Sequence, residues 1–356
     1  MSQQTNVLDR YSEGAKERQE SLCCPVNYDQ NLLKMLPAEI IEKDYGCGDP
    51  SSYVHEGDTV LDLGSGGGKI CYMAAQLVGK KGRVIGVDMN DDMLELANRH
   101  KAAMADKLGS DRVVFHKGYI QDLALDLTTI EEYLRENPVK DSQGLADLEA
   151  FKAQQKRKSA LIENDSVDLV ISNCVLNLVD QALKPMLIAE IFRVLKPGGR
   201  IAISDIISDR AIPEHLQQDA ELWSGCISGA FEEQAFIDAF VDAGFVAVGY
   251  DKWEQEPWQV VEDIEFRSVT ITAIKPVEES GDGSTKEVVF VGPYQLVVDE
   301  EGHEYWRGER TEVTSAKQEQ LLSALYNGHF VSTEQVSSSA GSCCAPEPEK
   351  SGGCCG

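Results

Sequence analysis

Apolar and polar positions fall into blocks along this chain, and from Thr59 onward the blocks take two lengths. Short runs of aliphatic and β-branched residues recur at 60–63, 83–88, 113–116, 167–173 and 200–205. Runs this short and this apolar predict strands covered on both faces. Longer amphipathic stretches lie between them. Residues 69–78 predict a helix. A second begins at Asn90 as N-cap, carries Asp91 and Asp92 in its first turn, and is closed by Gly109. A third, over 181–195, stops at Lys196-Pro197-Gly198-Gly199. Strands alternating with helices predict an α/β fold, Rossmann-like, with a mostly parallel sheet and right-handed crossovers.

The flanks read differently. Residues 1–20 are polar and predict a helix, with Tyr11 its notable aromatic. Residues 31–43 are amphipathic but interrupted by Pro37. Tyr45-Gly46-Cys47-Gly48-Asp49-Pro50 is loop chemistry, with glycines that permit unusual backbone angles and a proline that blocks helix continuation. Residues 124–163 are charged, poor in large aliphatics, and predict a helical insertion. Residues 208–276 predict a helix, a second helix near 231–243 and further strands, together a smaller α+β domain. A Gly-Asp-Gly-Ser linker at 281–284 leads to strands at 288–298 and 304–313 in an accessory module, 285–335. Residues 336–356 are rich in Ser, Gly, Pro and Glu, are expected to be disordered, and carry Cys343-Cys344 and Cys354-Cys355. The resulting division is a cap segment at 1–58, a cofactor domain at 59–207, then 208–276, 285–335 and 336–356. No repeat of solenoid length is present.

Composition narrows the function classes. The 356 residues carry a formal charge of −27, which disfavours a nucleic-acid partner, since phosphate binding needs a basic footprint. No apolar run crosses a bilayer, and no signal peptide is recognisable near the start. The expected location is cytoplasmic and the expected state a monomer. Ten cysteines in a reducing compartment point to catalysis, metal binding or burial rather than to disulfides.

Asp62-x-Gly64-x-Gly66-x-Gly68, after a strand and before a helix, predicts a cofactor-binding turn. A dinucleotide would prefer Gly-x-Gly-x-x-Gly with its pyrophosphate on the helix N-terminus. Here the spacing differs, and the Asp62 carboxylate would repel a pyrophosphate. It suits the amino-acid ammonium of S-adenosylmethionine instead. Asp88, ending the second strand, can accept ribose hydroxyls in either cofactor class. Ile120-Gln121-Asp122 follows the third strand, where an adenine is held, although Asp122 also reads as a helix cap.

The cysteines supply the second signal. Cys71, in the first helical turn after the loop, and Cys174, at the carboxyl end of the fourth strand, are both expected to face the cofactor crevice. Cys47 and Cys226 each lie among glycines that leave the sulfur accessible. Four thiols converging on one face suggest a soft, thiophilic centre such as trivalent arsenic, which takes three sulfurs. Absence of Cys-x-x-Cys or a zinc-like His spacing argues against structural zinc. Each thiol alone also reads as an inert core residue.

These segments resemble the S-adenosylmethionine-dependent arsenite methyltransferases over about residues 5–275. The matching stretches include Asp44-Tyr45-Gly46-Cys47-Gly48, Leu61-Asp62-Leu63-Gly64-Ser65-Gly66, Gly86-Val87-Asp88-Met89, Ser172-Asn173-Cys174-Val175-Leu176-Asn177-Leu178-Val179 and Trp223-Ser224-Gly225-Cys226-Ile227-Ser228-Gly229-Ala230. The resemblance implies a class I methyltransferase fold and S-adenosylmethionine contacts from Asp62, Gly64, Gly66, Gly68, Asp88, Met89, Ile120 and Asn173. It implies that Cys174 and Cys226 hold As(III), that Cys47 completes the site, and that 208–276 is an arsenic-binding domain. A fourth thiol, Cys24 or Cys23, would join a thiol–disulfide relay, with Cys47–Cys24 as a candidate pair and thioredoxin or glutathione as reductant. Cys71 matches a structural or accessory family cysteine. The substrates implied are arsenite and methylarsenite. Two alternatives remain: a methyltransferase for another small metabolite, and a thiol-based metalloid buffer.

Overall fold

Leu61, Leu63, Val170, Ile171 and Ile203 are all completely buried, because their strands lie at the centre of one sheet with helices on both faces. A computed structural model describes residues 3–17, 19, 26–43, 45–277, 284–323, 326 and 328–333. Two compact units are present, Met1–Glu278 and Glu279–Gly356.

The first unit begins with helices α1 (Gln3–Lys16), α2 (Gln30–Leu33) and α3 (Ala38–Glu42). The α/β core follows: β1 (Thr59–Leu63), α4 (Lys69–Leu77), β2 (Arg83–Asp88), α5 (Asp91–Arg99), α6 (Lys101–Leu108) and β3 (Val113–Lys117). Next come α7 (Leu127–Glu136), α8 (Ser142–Lys158), β4 (Val167–Asn173), α9 (Lys184–Val194) and β5 (Leu195–Ser208). The unit ends with α10 (Glu214–Gln217), α11 (Ala220–Ser224), β6 (Phe231–Glu232), α12 (Glu233–Asp242), β7 (Val246–Trp253), β8 (Gln259–Val261) and β9 (Ile264–Ile274).

The main path of the sheet runs β3-β2-β1-β4-β5-β9-β7, parallel through β5 and antiparallel beyond it. Strand order reverses between β1 and β4, so the ligand crevice opens past their carboxyl ends. Those ends carry the Gly64–Gly68 turn and Cys174.

Three expectations are corrected. Residues 208–276 are no separate domain: β7 and β9 extend the central sheet, because β9 pairs with β5 over Arg200–Ser208. The helix expected from Asn90 to Gly109 is two helices meeting at His100, whose Nε2 lies 3.0 Å from Glu39 Oε2. The Asn90 cap on Met93 N and the left-handed Gly109 stand as expected. The fifth strand is longer than 200–205. The insertion is helical and builds its own small core, with Tyr133 stacked on Phe151 at 4.1 Å beside Ile130 and Leu148.

The second unit contains β10 (Thr285–Phe290), β11 (Leu296–Val298), β12 (Glu304–Trp306), β13 (Arg310–Thr314), α13 (Ser315–Leu321) and β14 (Phe330–Ser332). The strand expected over 288–298 is broken by Gly292-Pro293, since proline has no N–H for a ladder. Val288, Phe290, Tyr305, Leu321 and Phe330 form its core. The linker at 281–283 and the tail from 334 onward lie outside the described residues.

Within this unit Lys317 Nζ sits 2.8 Å from Asp299 Oδ2, with side-chain exposures of 9% and 6%. Burial raises the Asp299 carboxyl, but the Lys317 ammonium, the His303 N–H and the Tyr305 hydroxyl outweigh it and leave a pKa of about 2. The folded value lies below the unfolded one of about 3.9. The ion pair therefore stabilises this unit above about pH 4, and that contribution is lost as pH falls towards 2. Lys317→Met strands the carboxylate and should cost about 3 kcal/mol. Amide exchange over 285–333 should speed at pH 7 in the variant, and in the parent only under acid. Unchanged exchange in Lys317→Met at pH 7 would refute this assignment.

Candidate active site

The turn after β1 shows why glycine is needed. Gly64, Gly66 and Gly68 have φ of 68°, 50° and 84°. A Cβ on Gly64 would also lie 2.4 Å from Val175 Cγ1, so the turn presses against the residue following Cys174. Gly64 and Ser65 donate their N–H to Val87 O, Gly66 to Asp88 Oδ2, and Gly68 to Ser65 O. These amides are spent inside the protein rather than held out as an anion nest.

A cavity of about 280 Å³ opens beside the turn. Asp62, Gly64, Gly66, Asp88, Met89, Ile120 and Asn173 line it, as expected. Gly68 does not: as N-cap of α4 it faces Phe115 and Tyr72. Asp88 accepts from Gly66 N at 2.9 Å and Asn90 N at 2.8 Å. Burial nevertheless pushes its carboxyl pKa up. Asp122 is absent from the lining and pairs with Lys156 of the insertion at 2.5 Å.

Cys71 does not face this crevice. It is completely buried beneath the turn, and its Sγ donates to Asp62 Oδ2 at 3.1 Å. Burial and the Asp62 charge raise its pKa, so it rests as a thiol. The first turn of a helix covers residues on all sides, and here Cys71 points at the sheet.

Asn173 acts through its side chain on the protein itself. Oδ1 accepts from Cys47 N at 2.9 Å and Gly48 N at 3.0 Å, while Nδ2 donates to Gly48 O and the Tyr28 hydroxyl. That uses the amide's full capacity and leaves its side chain nothing for a cofactor. It docks the 46–48 loop on the end of β4. Gly46 and Gly48 have ordinary φ, contrary to the expectation of unusual angles. What they allow is contact: a Cβ would lie 2.1 Å from Asn173 Nδ2 at Gly46, and 2.3 Å from Ser204 Oγ at Gly48.

This docking brings Cys47 against Cys174, and the two form a disulfide with Cα atoms 5.8 Å apart across 127 residues of sequence. Cys47 is joined here to Cys174; Cys23 and Cys24, and with them the expected Cys47–Cys24 relay pair, lie outside the described residues. Cys226 is buried nearby, its Sγ donating to Cys174 O at 3.2 Å and lying 4.0 Å from the Tyr11 hydroxyl. Cys47, Cys174 and Cys226 share one apolar cluster with Ile206, Ile212 and Phe266. Cys174 and Cys226 hold φ of 59° and 64°, a left-handed conformation that costs a non-glycine residue about 1–3 kcal/mol and is typical of functional positions.

Asp205, Lys184, Asn177 and Tyr11 were not read as site residues from the sequence. Asp205, near the carboxyl end of β5, is fully buried with a carboxylate oxygen within 4.8 Å of the Cys47 and Cys174 sulfurs. It accepts from Leu176 N, Asn177 N and Ile206 N, which fixes the turn after Cys174. Burial pushes its pKa up to about 7 and that of Lys184 down to about 7, while their mutual attraction opposes both shifts. Asn177 Nδ2 ties Ile206 O to Cys226 O. Tyr11 of α1 lines both the cofactor cavity and a small void beside Cys226. The signal for Asp205 and Lys184 was a charge inside an apolar run.

A family model described as a methyltransferase domain matches residues 54–142 and 135–260. A second, described as a domain of unknown function (DUF8838), matches 279–351. An arsenite methyltransferase of Aquipseudomonas alcaligenes is 34% identical over 250 residues, covering 68% of this chain and 62% of that protein. The human arsenite methyltransferase is 30% identical over 277 residues, covering 74% and 62%. The chain thus spans about three-fifths of the length of these two relatives. The X-ray structure of CrArsM, an arsenic(III) S-adenosylmethionine methyltransferase from Chlamydomonas reinhardtii, superposes with a TM-score of 0.59 at 28% identity, covering 86% of this chain and 96% of that one. With a class I sheet, a glycine turn aimed into the crevice and a family match across more than half its length, the chain belongs to the methyltransferase-domain family.

Proposed function

We propose that this protein transfers the methyl group of S-adenosylmethionine to trivalent arsenic, as arsenite or methylarsenite, held by Cys47, Cys174 and Cys226. One observation carries the reading: Cys174 lines both the cofactor cavity and the void beside Cys226, so a centre bound to its sulfur adjoins the cofactor.

The cavity suits this cofactor. Its acidic lining residues, Asp62, Asp88 and Asp180, favour a sulfonium and an ammonium over a pyrophosphate, and the turn's committed amides point the same way. When bound, S-adenosylmethionine supplies an electrophilic methyl group and leaves as S-adenosylhomocysteine. The protein contributes placement. Asn173 and Asp205 fix the segments bearing Cys47 and Cys174, and Asn177 fixes that bearing Cys226. Holding the arsenic lone pair in line with the sulfonium methyl carbon supplies most of the rate.

Methylation takes arsenic formally from As(III) to As(V). Two arsenic-bound cysteine sulfurs return it to As(III): both As–S bonds break, one S–S bond closes, one electron pair stays on arsenic, and a water or reductant thiol takes the vacated position on arsenic and gives up its proton. Cys47 and Cys174 are placed for this, and their disulfide is the product state. Thioredoxin or glutathione then restores the thiols by exchange, and Cys24 is a candidate carrier. Among the described residues no helix is long and apolar enough to cross a membrane.

The test is purified protein with arsenite, S-adenosylmethionine and a thiol reductant, followed by chromatography of arsenic species. Methylated arsenic should accumulate with reductant and stop after at most one turnover without it. Cofactor binding with no methylated product would overturn the arsenic reading in favour of another methyl acceptor.

A further inference from the structure

S-adenosylmethionine ends in an α-amino acid, and its carboxylate needs donors. The glycine turn offers few, because Gly64, Ser65, Gly66 and Gly68 already donate within the protein. The acidic lining residues repel it. Among the described residues lining the cavity the one cation is Lys43. It caps the C-terminal end of α3, and its side chain is 17% exposed.

Lys43 is also held in place. Its Nζ donates to Glu39 Oε1 at 3.0 Å, one turn earlier on α3. Glu39 in turn takes Arg99 Nη1 at 3.1 Å and lies 3.0 Å from His100 Nε2, at the junction of α5 and α6. The hydrogen bonds from Lys43 and His100 hold the Glu39 carboxyl at about 2, so it stays anionic at neutral pH. An ammonium has three donors, and Glu39 takes one. Lys43 is at the same time a lining residue of the cavity.

We propose that Lys43 is the cofactor-carboxylate residue: it clamps the α-carboxylate of S-adenosylmethionine, while the ammonium lies against Asp62. This rests on the cofactor reading above. The pair divides the labour by charge, one cation for the carboxylate and one anion for the ammonium, and so selects an intact α-amino acid end.

Calorimetric titration of the full chain with S-adenosylmethionine and with decarboxylated S-adenosylmethionine separates the possibilities without turnover. The readout is the ratio of the two dissociation constants. Lys43→Met should shift that ratio by about tenfold against S-adenosylmethionine, the scale of one charge-assisted hydrogen bond. Binding of the decarboxylated compound should be unchanged, which also shows that the variant is folded. Lys43→Arg should largely restore the parent ratio. An equal loss for both ligands, or no loss for either, overturns the proposal and leaves the cofactor reading standing. A parent protein that binds neither compound overturns both.

Discussion

Cys174→Ser is expected to lower arsenite methylation by about 100-fold or more while S-adenosylmethionine binds with unchanged affinity. Cys174 lines the cofactor cavity, contacts Cys226 through its carbonyl and carries the sulfur bonded to Cys47. A serine hydroxyl is nearly isosteric but does not ionise near neutral pH, so one As–S bond is lost and arsenic is no longer aligned. The backbone is not expected to relax, because Asp205 and Asn173 continue to hold the flanking segments. Calorimetry for the cofactor and chromatography for the product separate binding from transfer. Comparable turnover in the parent and the variant would move the reading to a metabolite methyltransferase with inert cysteines. The oxidised variant should also retain a reactive Cys47, countable by alkylation.

Gly48→Ala is expected to cause a similar loss by another route. Its Cβ would lie 2.3 Å from Ser204 Oγ and 2.5 Å from Ser204 Cβ. Ser204 is in β5, between β4 and β9, and hydrogen-bonded to Thr270, so it cannot yield. The 46–48 loop must lift instead, breaking the Asn173 bonds and withdrawing Cys47 from Cys174. Overpacking of this kind costs about 1–3 kcal/mol, small enough to leave the unit folded. Thiol counting on air-oxidised, denatured protein should show two more thiols than the parent, and methylation should fall by about 100-fold. If the disulfide forms in the same yield, the close contact at Gly48 does not govern the site.

Local chemistry made the scaffold legible. Apolar runs marked β1, β2, β3, β4 and β5, because a strand covered on both faces has nowhere to put polar side chains. Asn90 and Gly109 marked helix ends for reasons confined to one turn. The glycine turn announced the crevice. Reading Cys71 as part of that crevice failed because helical phase, not sequence position, decides which wall a side chain joins. The separate domain over 208–276 failed for a comparable reason: a strand is defined locally, but its partner is not, and β9 found β5.

The sequence by itself determined the parallel α/β core and the acidic cofactor turn, since each follows from short-range periodicity, turn geometry or residue type. Only the tertiary structure decided that Cys47 meets Cys174, that Asn173 serves the loop rather than a ligand, that Asp205 stands beside the sulfurs and that Lys43 reaches the cofactor cavity. Those choices rest on contacts between residues far apart in the chain, where closing the loop costs entropy that many cooperating contacts offset together.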